Sequence, residues 1–129
     1  MIVMLALMTM TPAAALPLAP PDDMVGEEIV VIASKLKDWR ASLVEYRGEM
    51  RCYTQRSTGD AAIDRIGCQS MLRCYTRFAA EFASFKDRDI SSNKREAMRK
   101  VFLRNRFSAC VFEERDAMVA ELAAKRAAQ

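Results

Sequence analysis

The stretch Met24–Ser57, MVGEEIVVIASKLKDWRASLVEYRGEMRCYTQRS, decides how the rest of this 129-residue chain is read. Steps of three and four residues pick out Ile29, Ile32, Leu36, Trp39, Leu43, Tyr46, Met50 and Tyr53, each of them large and apolar. Lys35, Lys37, Asp38, Arg40, Glu45, Arg47, Glu49 and Arg51 lie between them. An α-helix turns once per ~3.6 residues, so this spacing predicts one apolar stripe with the charges outside it. A half-buried strand alternates by twos, and Leu36-Lys37-Asp38-Trp39 does not. The expectation is one helix over residues 24–57, roughly 50 Å long at ~1.5 Å per residue. On this reading Gly48 is a helix-interior glycine, costing ~1 kcal/mol relative to Ala. Asp22 or Asp23 caps the start, with Glu27 and Glu28 near the positive end of the dipole.

Such a seam needs partners, and the chain supplies two further periodic stretches. Ser57-Thr58-Gly59-Asp60 is a break, with Gly59 suited to a left-handed terminus and Asp60 to a cap. From Ala61 to Lys86, Ile63, Gly67, Met71, Cys74, Phe78, Phe82 and Phe85 recur at helical intervals. Three phenylalanines on one face read as core. Asp87–Ser92 is a second break, and Asn93 with Glu96 fits a capping box. From Lys94 to Ala124 the stripe is Leu103, Phe107, Cys110, Val111, Met118 and Leu122, widened by Met98, Phe102 and Phe112. The expected fold is all-α: an antiparallel three-helix bundle of long helices, running up, down and up, stapled by two disulfides.

Composition agrees with one globular domain. Apolar residues are 51% and charged residues 29% of the chain, outside the range of disordered segments. The four prolines, Pro12, Pro17, Pro20 and Pro21, all precede Asp22, so the remainder has few breaks. The net charge of +3 permits contact with an acidic surface without demanding it. Histidine is absent, which removes the commonest general base and metal ligand near neutral pH.

Residues 1–15 read as a signal peptide or short apolar N-terminal segment, 16–23 as a proline-rich linker and 24–129 as the helical bundle domain. Ala13 and Ala15 supply the small-x-small pattern of a cleavage site. The apolar run is shorter than the ~20 residues of a spanning helix. No Lys or Arg precedes Lys35, so the basic front of a signal peptide is missing. On balance the reading is export, to a periplasm or the exterior, over residence in the cytoplasm.

Cys52, Cys68, Cys74 and Cys110 are an even set in a small exported chain, which predicts two disulfides. Spacing alone leaves three pairings. In antiparallel hairpins, residues equidistant from a turn lie at equal height. Cys52 and Cys68 are equidistant from Asp60, and Cys74 and Cys110 from Ser92. Cys74 and Cys110 also lie on their stripes, whereas Cys52 and Cys68 fall to the side. The favoured pairing is therefore Cys52 with Cys68 and Cys74 with Cys110. No pair shows the two-residue spacing of a redox catalyst or the short pairs of a zinc site.

Lys94, Arg95, Arg99, Lys100, Arg104 and Arg106 form a basic run broken only by Glu96, a candidate anion-binding segment for phospholipid, a polyanion or an acidic protein face. The plainer reading is a solvated helix face balanced by Glu81, Asp87 and Asp89. Glu113, Glu114 and Asp116 could hold a cation loosely, and Asp60 and Asp64 stand one helical turn apart. No nucleophile motif, glycine-rich phosphate loop or metal-ligand cluster is present, so no enzyme and no cofactor is expected. The expected role is protein binding, through an apolar or basic face that includes Val30, Val44 and Phe102. The alternatives are binding to an anionic membrane or polyanion through residues 94–106, and a structural homodimer through the long first helix. Nucleic acid is disfavoured as a partner by export.

Overall fold

The computed structural model describes residues 22–129, so the signal-peptide expectation and most of the linker expectation lie outside the described residues. The single long first helix is overturned. A helix, α1, spans Asp22–Asp38 and is followed by two strands, β1 (Arg40–Tyr46) and β2 (Glu49–Arg56), paired antiparallel. The described residues therefore form a mostly helical fold with a small two-stranded sheet, not a pure three-helix bundle.

Local chemistry explains the break. Trp39 N–H donates to Leu36 O, and the Arg40 guanidinium Nη1 donates to Lys37 O and Trp39 O at 2.8 Å each. The orphan carbonyls at the end of α1 are thus satisfied by a side chain, and the backbone is released into extended form. Leu43, Val44, Tyr46, Tyr53 and Thr54 are strand-favouring types. Arg47 and Gly48, at φ 51° and 77°, supply the two left-handed residues that a two-residue type I′ hairpin turn requires. Gly48 is a turn residue and not a helix-interior cost.

The register then divides the apparent stripe. Leu43 opposes Cys52 and Glu45 opposes Met50, so Leu43 and Met50 share one face. Tyr46 opposes Glu49 and Ser42 opposes Tyr53, which places Tyr46 and Tyr53 on the other face, where both are exposed. A bulge between Arg40 and Ala41 leaves Gln55 unmatched, and its Nε2 donates to Ser42 Oγ at 2.6 Å.

Asp60 caps α2 (Ala61–Arg77), its carboxylate accepting from Ala62 and Ile63 N–H. The expected helix to Lys86 is interrupted at Phe78 and resumes as α3 (Ala79–Ser84). The last rod starts at Ser91, whose Oγ accepts from Lys94 N–H; Ser91 is the cap in place of Asn93. The rod runs through α4 (Ser92–Phe102), a π-helical segment Leu103–Phe107 and α5 (Ser108–Ala127). Counted as one, it gives four helices. Residues five apart lie about 140° apart on an α-helix. The wider π turn brings Phe102 and Phe107 to one face, with ring centroids 6.3 Å apart.

Two cores flank α2. One is aliphatic around a single indole: Ile32, Leu36 and Trp39 meet Ile63 and Ile66 of α2 and Met118, Val119 and Ala123 of α5. The other joins Cys74, Phe102, Phe107, Cys110 and Val111 with Phe78, Phe82 and Phe85. Phe102, expected on a contact face, is buried here, whereas Val30 and Val44 are exposed. Met71 touches both cores. Cys52 is bonded to Cys68 and Cys74 to Cys110, the pairing that height from the turns and facing favoured. The first bridge joins a strand to a helix, not two helices.

Candidate functional site

A groove of about 720 Å³ lies between α1, the start of β1, and α5. Its volume lies within the range of small-molecule sites. The apolar wall comes from Ile29, Ala33 and Leu36 on α1 and from Phe112 and Val119 on α5. Helical spacing puts Ile29, Ala33 and Leu36 on one face, so they reach the groove together. Phe112 is 60% exposed, a large aromatic left at the surface.

Trp39 sits where α1 ends, and its six-membered ring lies against Gly67 of α2. A Cβ at Gly67 would come within 2.6 Å of that ring, so this position of α2 admits only glycine without displacement. The Arg115 guanidinium stands 5.8 Å from the centre of the same ring. Trp39 Nε1 and Arg115 Nε are both buried without a hydrogen-bond partner. Such orphan donors are uncommon; a third, Arg95 Nε, lies on α4, while these two are shielded from solvent on residues in contact that line one groove. Burial pushes the Arg115 guanidinium below its ordinary value, and Asp116 pulls it partly back. It remains charged at neutral pH. Lys37, Arg40 and Arg115 line the groove against one carboxylate, Asp116. Among the described residues Lys37 and Arg115 form no ion pair, and Arg40 is tied only to backbone carbonyls.

The residues singled out from sequence lie elsewhere. Arg99 pairs with Glu96 and Arg106 with Glu81, each at 3.6 Å, and Arg106 also stacks on Phe78 and Phe102. Lys94, Lys100 and Arg104 are exposed along the rod, while Arg95 is half-buried. Glu114 receives Arg77 at 2.7 Å and Arg73 at 3.5 Å, so the acidic trio is partly engaged internally. Asp60 is a cap that also accepts from Arg126 at 2.7 Å. Asp64 accepts from Thr58 N–H and Oγ1 and from the Ser57 hydroxyl, closing the loop before α2. Burial acts to raise both carboxyls, but these hydrogen bonds outweigh it and hold both below the ordinary value.

Sequence reasoning took Trp39 as one more stripe residue and passed over Arg115. The available signal was a lone cation inside the acidic run Glu113-Glu114-Arg115-Asp116. Two disulfides suit an oxidising compartment. No described helix is long and apolar enough to cross a membrane. No family model, curated protein or solved structure matches the chain.

Proposed function

We propose that this is an exported, disulfide-stapled binding protein, acting in a periplasm or outside the cell without catalysis, and that its contact surface is the groove beside Trp39. The observation that carries this reading is the groove of about 720 Å³, whose lining joins an apolar wall to Lys37 and Arg115, two cations without an ion pair among the described residues. The oxidised cysteine pairs and the apolar segment before Asp22 support export. The homodimer through a long first helix loses its premise: α1 ends at Asp38, and its Ile32 and Leu36 are buried within the chain against α2 and α5.

Binding of the fluorescent amphiphile anilinonaphthalene sulfonate tests the groove. The chain has one tryptophan, so the emission followed is that of Trp39, and the Ala33→Phe variant assigns the signal to this groove. Saturable binding with quenched Trp39 emission is expected, lost in an Ala33→Phe variant that fills the groove. Binding unchanged by Ala33→Phe would refute the assignment.

A further inference from the structure

Resting on that reading, we infer that the groove takes a small amphiphilic anion, an aliphatic chain ending in a single carboxylate. Charge and shape both select this class. The groove presents three cationic side chains, Lys37, Arg40 and Arg115, against the one carboxylate of Asp116. A cationic or zwitterionic head gains less there than a carboxylate. Arg115 offers a planar fork suited to two parallel bonds with a carboxylate. It is half-buried and has no hydrogen-bond or ion-pair partner among the described residues, so the pairing displaces no internal salt bridge.

Behind the head, Ile29, Ala33 and Leu36 form a strip one helix face wide, with Val119 and exposed Phe112 opposite. An aliphatic chain lying along α1 covers this strip and Phe112. A polar ligand such as a sugar or a nucleotide would leave hydroxyls facing an apolar wall without partners. The apolar groove between α3 and α4, lined by Phe85, Met98 and Val101, has no buried orphan donor on its wall and one lining cation, Arg106, that is already paired with Glu81. It lacks the head-group end that distinguishes the Trp39 groove.

The test is a titration of the full chain with decanoate, decanol and decyltrimethylammonium, followed by Trp39 emission. Decanoate is expected to bind saturably and about tenfold or more tighter than decanol, the worth of one charge-assisted hydrogen bond, with the ammonium amphiphile weakest. Arg115→Gln is expected to bring decanoate down to the decanol level. Lys37→Gln, at an exposed site that folding does not need, is expected to weaken decanoate about threefold and leave decanol unchanged. Equal binding of decanoate and decanol would overturn the anionic head while leaving the groove a binding site. No saturable change with any of the three would overturn both. A chain that sediments as a dimer, with Trp39 emission insensitive to decanoate, would assign the groove to a second copy and likewise overturn the proposal.

Discussion

The two cores on either side of α2 use different means to the same end. The Phe82 core is built from rings packed on rings: Phe82 meets Phe102 and Phe107 edge-on at 5.3 and 5.4 Å and Tyr75 at 4.8 Å. Its disulfide is buried, with Cys74 and Cys110 both inside. The Trp39 core is aliphatic around one indole, its disulfide is half-exposed, and it opens into the groove. Edge-to-face rings close on themselves and leave little to satisfy. An indole and a guanidinium with unpartnered nitrogens do not. The groove of about 720 Å³ lies beside the indole core, whereas the other core is held by paired rings.

Breaking the staples should show the contrast most strongly. Replacing Cys74 and Cys110 by Ala removes a bridge spanning 36 residues and should cost about 4 kcal/mol in denaturant unfolding. The same change at Cys52 and Cys68, spanning 16 residues, should cost about 3 kcal/mol. Under mild reductant, mass spectrometry with thiol alkylation should show Cys52 and Cys68 modified first, because Cys74 and Cys110 are shielded. Next in size, Phe82→Ala should cost about 3 kcal/mol and leave Trp39 emission unchanged.

Gly67→Ala acts on the other core. Its new Cβ must push Trp39 outward, so we expect a loss of about 2 kcal/mol with a red-shifted emission. A variant as stable as the parent with unshifted emission would show that the ring does not rest on Gly67. The smallest effect belongs to the loop between the hairpin and α2. Asp60→Ala should cost about 1 kcal/mol through the lost cap. The Asp60 and Asp64 carboxyls are held below their ordinary value of 3.8, so their contribution is full above it and fades as the pH falls through the lower folded values. Acid unfolding of Asp60→Ala should accordingly be less steep below pH 3.8.

How much of this was legible in the sequence follows from where periodicity is ambiguous. Ile29, Ile32 and Leu36 are a true helical stripe, and Trp39 stands one residue past its end. Leu43, Tyr46, Met50 and Tyr53 continue the count by coincidence, and a hairpin splits them between two faces. Arg47-Gly48 was the readable turn, but Arg-Gly is a weaker hairpin signal than Asn-Gly. The cysteine pairing survived the wrong element. Four strand residues back from Arg56 rise about 13 Å and seven helical residues on from Ala61 about 11 Å, so Cys52 and Cys68 still meet. The π turn left no mark in composition, and only the burial of both Phe102 and Phe107 explains it. The groove was illegible because it depends on Arg115 and Trp39 meeting across 76 residues, a contact that spacing does not encode.

The most direct test of the central claim follows the single indole resonance in a proton–nitrogen correlation spectrum of the full chain during addition of decanoate. With decanoate in the groove this one peak should move saturably, together with backbone peaks of Ala33, Leu36 and Arg115, while those of Phe82 and Phe102 stay in place. An indole peak that holds still while decanoate perturbs the aromatic core or the basic run would contradict it.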